Sequence, residues 1–304
     1  MLHIIYRSYG GENLKGRPEY YSKLLALISM LQSLSRLGSP CEVIYLNDGP
    51  IPADRTAVMA NSGEIVAGEN LGSTGSMRAA LLIPEQRGWA SSDLVWFAED
   101  DHLYLPDAFT GLVEASEAFP DAEYFGLYAS IGRRAPEGTI VPDWAHVPAG
   151  WSEGPAVPVD GHTWRRGLST TSTFGARVGA VRADRKMMNL VMRLGGAWDH
   201  TTCLMYQGYA PSSWKLLASH YGTGDIGPRW RVQSVLVRGG LNLWQFLRLR
   251  SGVKPRILAA PEPALATHLE SEHMAAGSDW SSVARNCLAW GREKELIASP
   301  ALVN

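Results

Sequence analysis

The sequence predicts an α/β fold, a mainly parallel central sheet flanked by helices, followed by an irregular second half. Three observations carry this. Strand-like and helix-like segments alternate over the first hundred residues, as parallel strands joined by helical crossovers require. Leu94-Val95-Trp96-Phe97-Ala98 is apolar throughout, as suits a strand buried on both faces. The stretch from Arg133 to Gly161 is instead rich in Pro, Gly and Trp, and reads as a long irregular segment.

The elements follow in order. Leu2 to Tyr6 is a β-prone run closed by Gly10-Gly11. Pro18 suits the first turn of a helix, and Leu24, Leu27, Ile28, Leu31 and Leu34 continue it at helical spacing up to Gly38. Glu42 to Leu46 and Glu64 to Ala67 read as the second and third strands, with little helix between them. Met77 to Gln86 reads as a helix, and Leu94 to Ala98 as the fourth strand. Thr170 to Val181 reads as a strand or strand pair, with Ala183 to Gly195 and Ala197 to Gly208 as helices. Beyond Pro255 the chain reads as loop until a last helix at Trp280 to Ile297.

At 304 residues the chain has ample length for a buried core, and its 45% apolar content excludes a disordered chain. Lys plus Arg (28) nearly equals Asp plus Glu (30), which removes the electrostatic case for a nucleic-acid binder. The start lacks a basic region ahead of a long apolar run, and no window approaches a membrane span. Three widely spaced cysteines without a CxxC pair argue against a disulfide framework or thiolate zinc site. The expectation is a cytoplasmic protein with reduced thiols. Val237 to Lys254 mixes apolar and basic residues, which fits either an ordinary amphipathic surface helix or peripheral membrane contact.

The most informative spot is Trp96-Phe97-Ala98-Glu99-Asp100-Asp101-His102. Three consecutive acids leave the carboxyl end of a buried strand, where open α/β sheets bind ligands. Crowded carboxylates repel one another unless a cation offsets them, and their hard oxygens suit Mn2+ or Mg2+. Residues i and i+2 of an extended segment share a face, so Glu99 and Asp101 would act together while Asp100 faces a ribose hydroxyl or a basic partner. The alternative is an acidic helix N-terminus capped by Asp100 and Asp101.

Here the chain resembles the GT-A glycosyltransferases, above all the large family 2 of nucleotide-sugar enzymes. Their Phe-Leu-Asp-x-Asp-Asp stretch, followed after three residues by Pro, matches Phe97-Ala98-Glu99-Asp100-Asp101-His102 and Pro106. Glu99 and His102 depart from it. Arg7-Ser8-Tyr9-Gly10 stands where the family's first turn lies, and Asn47-Asp48-Gly49-Pro50 where its Asp-Asp-Gly-Ser lies. Asn70-Leu71-Gly72-Ser73-Thr74-Gly75-Ser76-Met77-Arg78 takes the place of the Asn-x-Gly to Ala-Arg-Asn stretch.

The resemblance implies a GT-A (Rossmann-like) fold with a nucleotide-sugar-binding α/β half over residues 1–130. An acceptor-binding half with a C-terminal helical extension would span 131–304 of the same continuous domain. It implies donor contacts from Tyr9, Asp48, Arg78 and Asp100, and metal ligation by Glu99 and Asp101. His220, in a Gly-rich setting, is the leading candidate for a histidine ligand, with His268 and His273 as alternatives. Asp199 would be the general base, with Glu153 and Asp160 as competitors. Trp144, Trp151 and Trp164, with His162, Arg165 and Arg166, would either line the acceptor site or pack a lid.

The implied activity is metal-dependent transfer of a sugar from a UDP- or GDP-sugar to the hydroxyl of a saccharide or small molecule, with inversion if it follows family 2 and retention as the alternative. Two rivals stand beside it: a sugar-phosphate nucleotidylyltransferase, and a non-catalytic nucleotide-sugar-binding protein of the same fold.

Overall fold

A computed structural model describes residues 1–12, 15–130, 147–194, 198–212 and 228–297. Its strands are β1 (Leu2–Tyr9), β2 (Cys41–Asp48), β3 (Glu64–Gly68), β4 (Leu94–Glu99), β5 (His102–Tyr104), β6 (Tyr124–Phe125) and β7 (Ala129–Ser130). There follow β8 (Val157–Val159), β9 (His162–Arg166), β10 (Ser169–Thr170), β11 (Phe174–Arg177), β12 (Leu258–Glu262) and β13 (Ala266–His268). The helices are α1 (Lys23–Leu34), α2 (Ala53–Ser62), α3 (Gly72–Ala80), α4 (Ile83–Gln86) and α5 (Ala108–Ala118). The later ones are α6 (Val178–Leu194), α7 (Trp198–Tyr206), α8 (Pro228–Arg250) and α9 (Trp280–Glu293).

Nine strands form one sheet in the order β3-β2-β1-β4-β11-β6-β12-β9-β8. β3, β2, β1 and β4 run parallel, β11 enters antiparallel to β4, and β12 lies parallel to β6. The fold class is therefore the predicted one, a largely parallel sheet flanked by helices. Alternation along the strands feeds two cores. Ile4, Tyr6 and Trp96 face one cluster, which α1, α5 and α9 cover, while Ile5, Val95 and Phe97 face the other, under α3, α6 and α7.

Several boundaries differ from the expectation. The first helix starts at Lys23, not at Pro18, because the Ser22 hydroxyl accepts the Leu25 N–H (3.0 Å) and caps it there. It ends at Leu34, short of Gly38. A full helix, α2, separates β2 from β3; it buries only Arg55, Val58 and Met59, too few apolar residues to show a period. Met77 to Gln86 belongs to two helices, the second opening with Pro84 in its first turn. The segment after Pro255 holds β12 and β13, which are rich in alanine and lack a β-branched pattern, yet both are buried.

Trp144 and His220 lie outside the described residues. Trp151 and Trp164 are buried, Trp164 completely and in the same cluster as Trp96 and Phe109. They pack the core, so the tryptophan surplus does not mark an acceptor surface at these two positions. Trp164→Ala is expected to cost about 3–5 kcal/mol in chemical denaturation, the usual range for deleting a buried aromatic. A loss below about 1 kcal/mol would remove Trp164 from the core. No helix of the described residues is long and apolar enough to cross a membrane, and the three cysteines are free.

Candidate active site

β1 is the point where the sheet changes direction, with β2 on one side and β4 on the other, and ligands of such sheets bind outside the carboxyl ends at that point. A cleft of about 370 Å³ opens there. Its walls come from the ends of β1 (Arg7, Ser8, Tyr9), β2 (Asp48) and β4 (Glu99, with Asp100 and Asp101 beyond it), and from the start of α3. The rim allows no bulk at two glycines. A Cβ on Gly10 would stand 1.9 Å from the Pro50 carbonyl oxygen, and Gly49 has φ +90° with Asn70 Oδ1 2.3 Å from its Cβ position.

The register pairs Arg7 with Glu99 across β1 and β4. The buried guanidinium donates to Glu99 Oε1 (3.2 Å), Ser76 Oγ (3.0 Å) and the Ser73 carbonyl (2.7 Å), tying the acid to the first turns of α3. Ser172 Oγ donates to the other Glu99 oxygen at 2.7 Å. Asp48 accepts the N–H groups of Leu71 (2.5 Å) and Gly72 (2.7 Å), so it holds the N-terminus of α3 against the cleft. Tyr9 is 52% exposed at the mouth, with the Lys23 ammonium 5.3 Å from its ring centre.

Asp100 and Asp101 occupy the turn between β4 and β5, not the extended segment expected, and their carboxylates meet different partners. Asp100 accepts from the Tyr9 N–H (2.9 Å) and pairs with Lys23 (3.0 Å), with Arg55 at 3.7 Å, so of its two expected partners it meets the basic one. Burial raises its pKa, and Lys23 pulls the other way. Asp101 meets His102 Nδ1 (3.1 Å), His268 Nε2 (3.1 Å) and Arg17 (3.1 Å). Burial alone would raise its pKa, but hydrogen bonds and charge from the two histidines hold it well below the usual carboxylate range.

Pairing of β5 with β13 sets His102 directly opposite His268, their rings stacked at 4.9 Å. His102 is fully buried, and its Nε2 lies 3.2 Å from Thr171 Oγ1. Glu99, Asp101 and His102 bring one ligand atom each to within 4.8 Å of one another. Hard carboxylate oxygens with an imidazole form a donor set that suits Mn2+ or Mg2+. An ionised carboxylate has about four acceptor positions, so the contacts to Arg7 and Arg17 leave room for a cation. The electrostatic premise changes, however. Arg7, Arg17 and Lys23 already offset the three acids, so repulsion within the cluster does not by itself demand a metal.

The remaining sequence candidates fall in different places. Arg78 is half-buried on α3 and does not line the cleft; Arg7 occupies the position facing it. His220 lies outside the described residues, whereas His268, the weaker alternative, reaches Asp101. Asp199 sits in the first turn of α7, accepts the His200 N–H (2.8 Å), and lines a small hollow with Thr170, Thr171 and Cys203. Burial raises its pKa, and the charge of Glu99 adds to the rise. Glu153 pairs with Arg165 at 3.2 Å. Asp160 (φ +43°) and Gly161 (φ +77°) form the two-residue turn between β8 and β9, as an Asp-Gly hairpin signal would have indicated. Arg7, Arg17, Lys23, Ser73 and Ser76 escaped the sequence reading. Only the position of Arg7 at a strand end ahead of Gly10-Gly11 could have suggested it.

No protein-family model matches the chain, and no curated protein matches it. Similar solved structures include S. aureus TarS 1-349 in complex with UDP, at 13% identity over 67% of this chain and 54% of that one (TM-score 0.41). The galactosyltransferase LgtC in complex with donor and acceptor sugar analogues is 15% identical over 98% of each chain (TM-score 0.42). CMP:2-keto-3-deoxy-manno-octonic acid synthetase complexed with CTP is 11% identical over 96% of this chain and 99% of that one (TM-score 0.41). The chain spans about half the length of TarS 1-349. What the chain itself displays is an α/β sheet whose carboxyl-end cleft joins basic donors to an Asp/Glu/His cluster.

Proposed function

We infer that the chain is a GT-A glycosyltransferase that moves a sugar from a nucleoside-diphosphate donor to an acceptor hydroxyl. One observation carries the reading: the cleft at the β1/β4 switch point combines cations, the N-terminal end of α3 and a convergent Glu/Asp/His set. In this reading residues 1–130 hold the donor and 131–304 the acceptor.

The exposed ring of Tyr9 offers a face to the nucleobase, and the start of α3 with Arg7 offers donors to the diphosphate. Glu99, Asp101 and His102 would hold a divalent cation, which when bound neutralises charge developing on the departing diphosphate. Asp199 accepts the proton of the acceptor hydroxyl. The hydroxyl oxygen bonds to the anomeric carbon as the carbon–oxygen bond to the diphosphate breaks, and one such displacement inverts the centre. Asp199 is the base because its raised pKa suits proton uptake, while Glu153 is tied to Arg165 and Asp160 serves a turn.

A nucleotidylyltransferase would use basic residues in the loop after β1 on its triphosphate. Here Lys15 pairs with Glu270 (2.8 Å) and Arg17 with Asp101, which favours the transferase. With Mn2+ and a panel of nucleotide sugars, slow release of nucleoside diphosphate from at least one donor is expected. EDTA should lower that rate by about tenfold or more, with recovery on adding Mn2+ or Mg2+. Pyrophosphate release from a nucleoside triphosphate and a sugar phosphate would favour the rival, and inertness toward every donor would favour a binding protein.

A further inference from the structure

We propose that the exposed face of α8 docks on an anionic membrane surface, with the helix lying in the plane of the headgroups. Leu236, Leu243, Phe246 and Leu247 are 70, 60, 51 and 55% exposed, and half of the large apolar side chains left in solvent among the described residues are these four. At 3.6 residues per turn they share one face with Arg250. The opposite face is anchored. Leu241 and Gln245 are buried, Gln245 donates to the Met205 carbonyl (2.7 Å), and Arg248 pairs with Asp184 (2.5 Å). The apolar stripe is thus presented by a helix fixed to the fold from behind.

Charge identifies the occupant. From Ile226 to Pro261 the sequence contains no Asp or Glu, in a chain whose net charge is -2. Arg248 and Arg256 are paired with Asp184, whereas Arg250 on the stripe's face and Lys254, four residues past the helix end, are exposed. The Arg250 guanidinium lies 4.6 Å from the centre of the Phe246 ring, so apolar anchor and cation reach the same level. Pairing this helix with its copy would set Arg250 near its counterpart, with no acid from the helix itself to relieve the charge. An anionic bilayer offers apolar depth and negative headgroups at once, and this number of anchors gives reversible binding, not insertion.

Flotation of the full chain with phosphatidylglycerol/phosphatidylcholine vesicles and with phosphatidylcholine vesicles tests this. Binding is expected to the anionic vesicles only, and to fall at high salt. The double changes Leu243→Glu with Leu247→Glu, and Arg250→Glu with Lys254→Glu, should each weaken partitioning by roughly tenfold or more. Circular dichroism should stay unchanged, since these side chains are exposed and lie outside the buried core. Phe246→Ser, which adds no charge, should move binding the same way. Absence of binding to either vesicle, or binding that survives all three variants, would overturn the proposal. So would a wild-type dimer in light scattering that Leu243→Glu with Leu247→Glu converts to monomer.

Discussion

Asp101→Asn is expected to lower donor turnover by about 10²- to 10³-fold, the range for removing one preorganised charge from an active site. The carboxylate is a shared acceptor for His102, His268 and Arg17, and one of the three groups converging on the candidate cation position. An amide keeps the shape and one oxygen but loses the charge that those three partners face. The ion pair between Arg17 and the buried Asp101 is then lost, so the variant should also melt earlier than the wild type. Release of nucleoside diphosphate and thermal denaturation, measured on one preparation, separate the two effects. Wild-type turnover in a folded variant would remove Asp101 from the chemistry.

Asp199→Asn should also lower turnover, by about 10²- to 10⁴-fold, while the donor binds as before. Stability moves differently. Burial raises the pKa of this carboxyl above its unfolded value, so the folded state holds the proton more tightly. The stability linked to that proton is present at low pH and is lost as pH rises through the raised pKa. The amide removes that penalty and still accepts the His200 N–H, so at neutral pH the variant should be as stable as the wild type or more so. In the wild type, turnover should fall as pH drops through the same raised value, above the ordinary carboxylate pKa of about 4. Undiminished kcat in Asp199→Asn would exclude it as the base.

The parts of this site legible in the sequence are those set by local pattern. β1 has an apolar centre at Ile4-Ile5-Tyr6 and β4 is apolar up to Glu99, so their strands and the acids emerging at Glu99 could be placed without a structure. An extended chain also predicts that Asp100 and Asp101 part, yet both lie in the turn between β4 and β5, so the cause of their divergence is not legible in the sequence. What supplies their partners is long-range. Arg17 is 84 residues from Asp101 in sequence and His268 is 167. β13 carries only Ala266, Thr267 and His268, with no alternation to announce a strand, so nothing in the order of residues sets His268 opposite His102. Lys23 was obscured by a single boundary. A helix begun at Pro18 would place it in a second turn, whereas the Ser22 cap makes it the first helical residue, directed at Asp100.

The pairing of the acids with internal cations is the least local feature of all. The acids are offset by Arg7, Arg17 and Lys23 from three separate segments, which charge counting along the chain does not reveal. In the proposed reading a cation at Glu99, Asp101 and His102 would act on the donor and would not be needed to offset charge in the fold. Chelation should accordingly depress turnover without unfolding the chain.

Calorimetric titration of the full chain with UDP and with GDP, in the presence of MnCl2, addresses the cleft directly. Saturable binding of at least one of the two at a single site is predicted, together with its loss in Arg7→Ala, whose guanidinium joins Glu99 to the start of α3. A folded wild type that binds neither nucleotide, or an Arg7→Ala variant that binds as tightly as the wild type, would contradict a nucleoside-diphosphate site between β1 and β4.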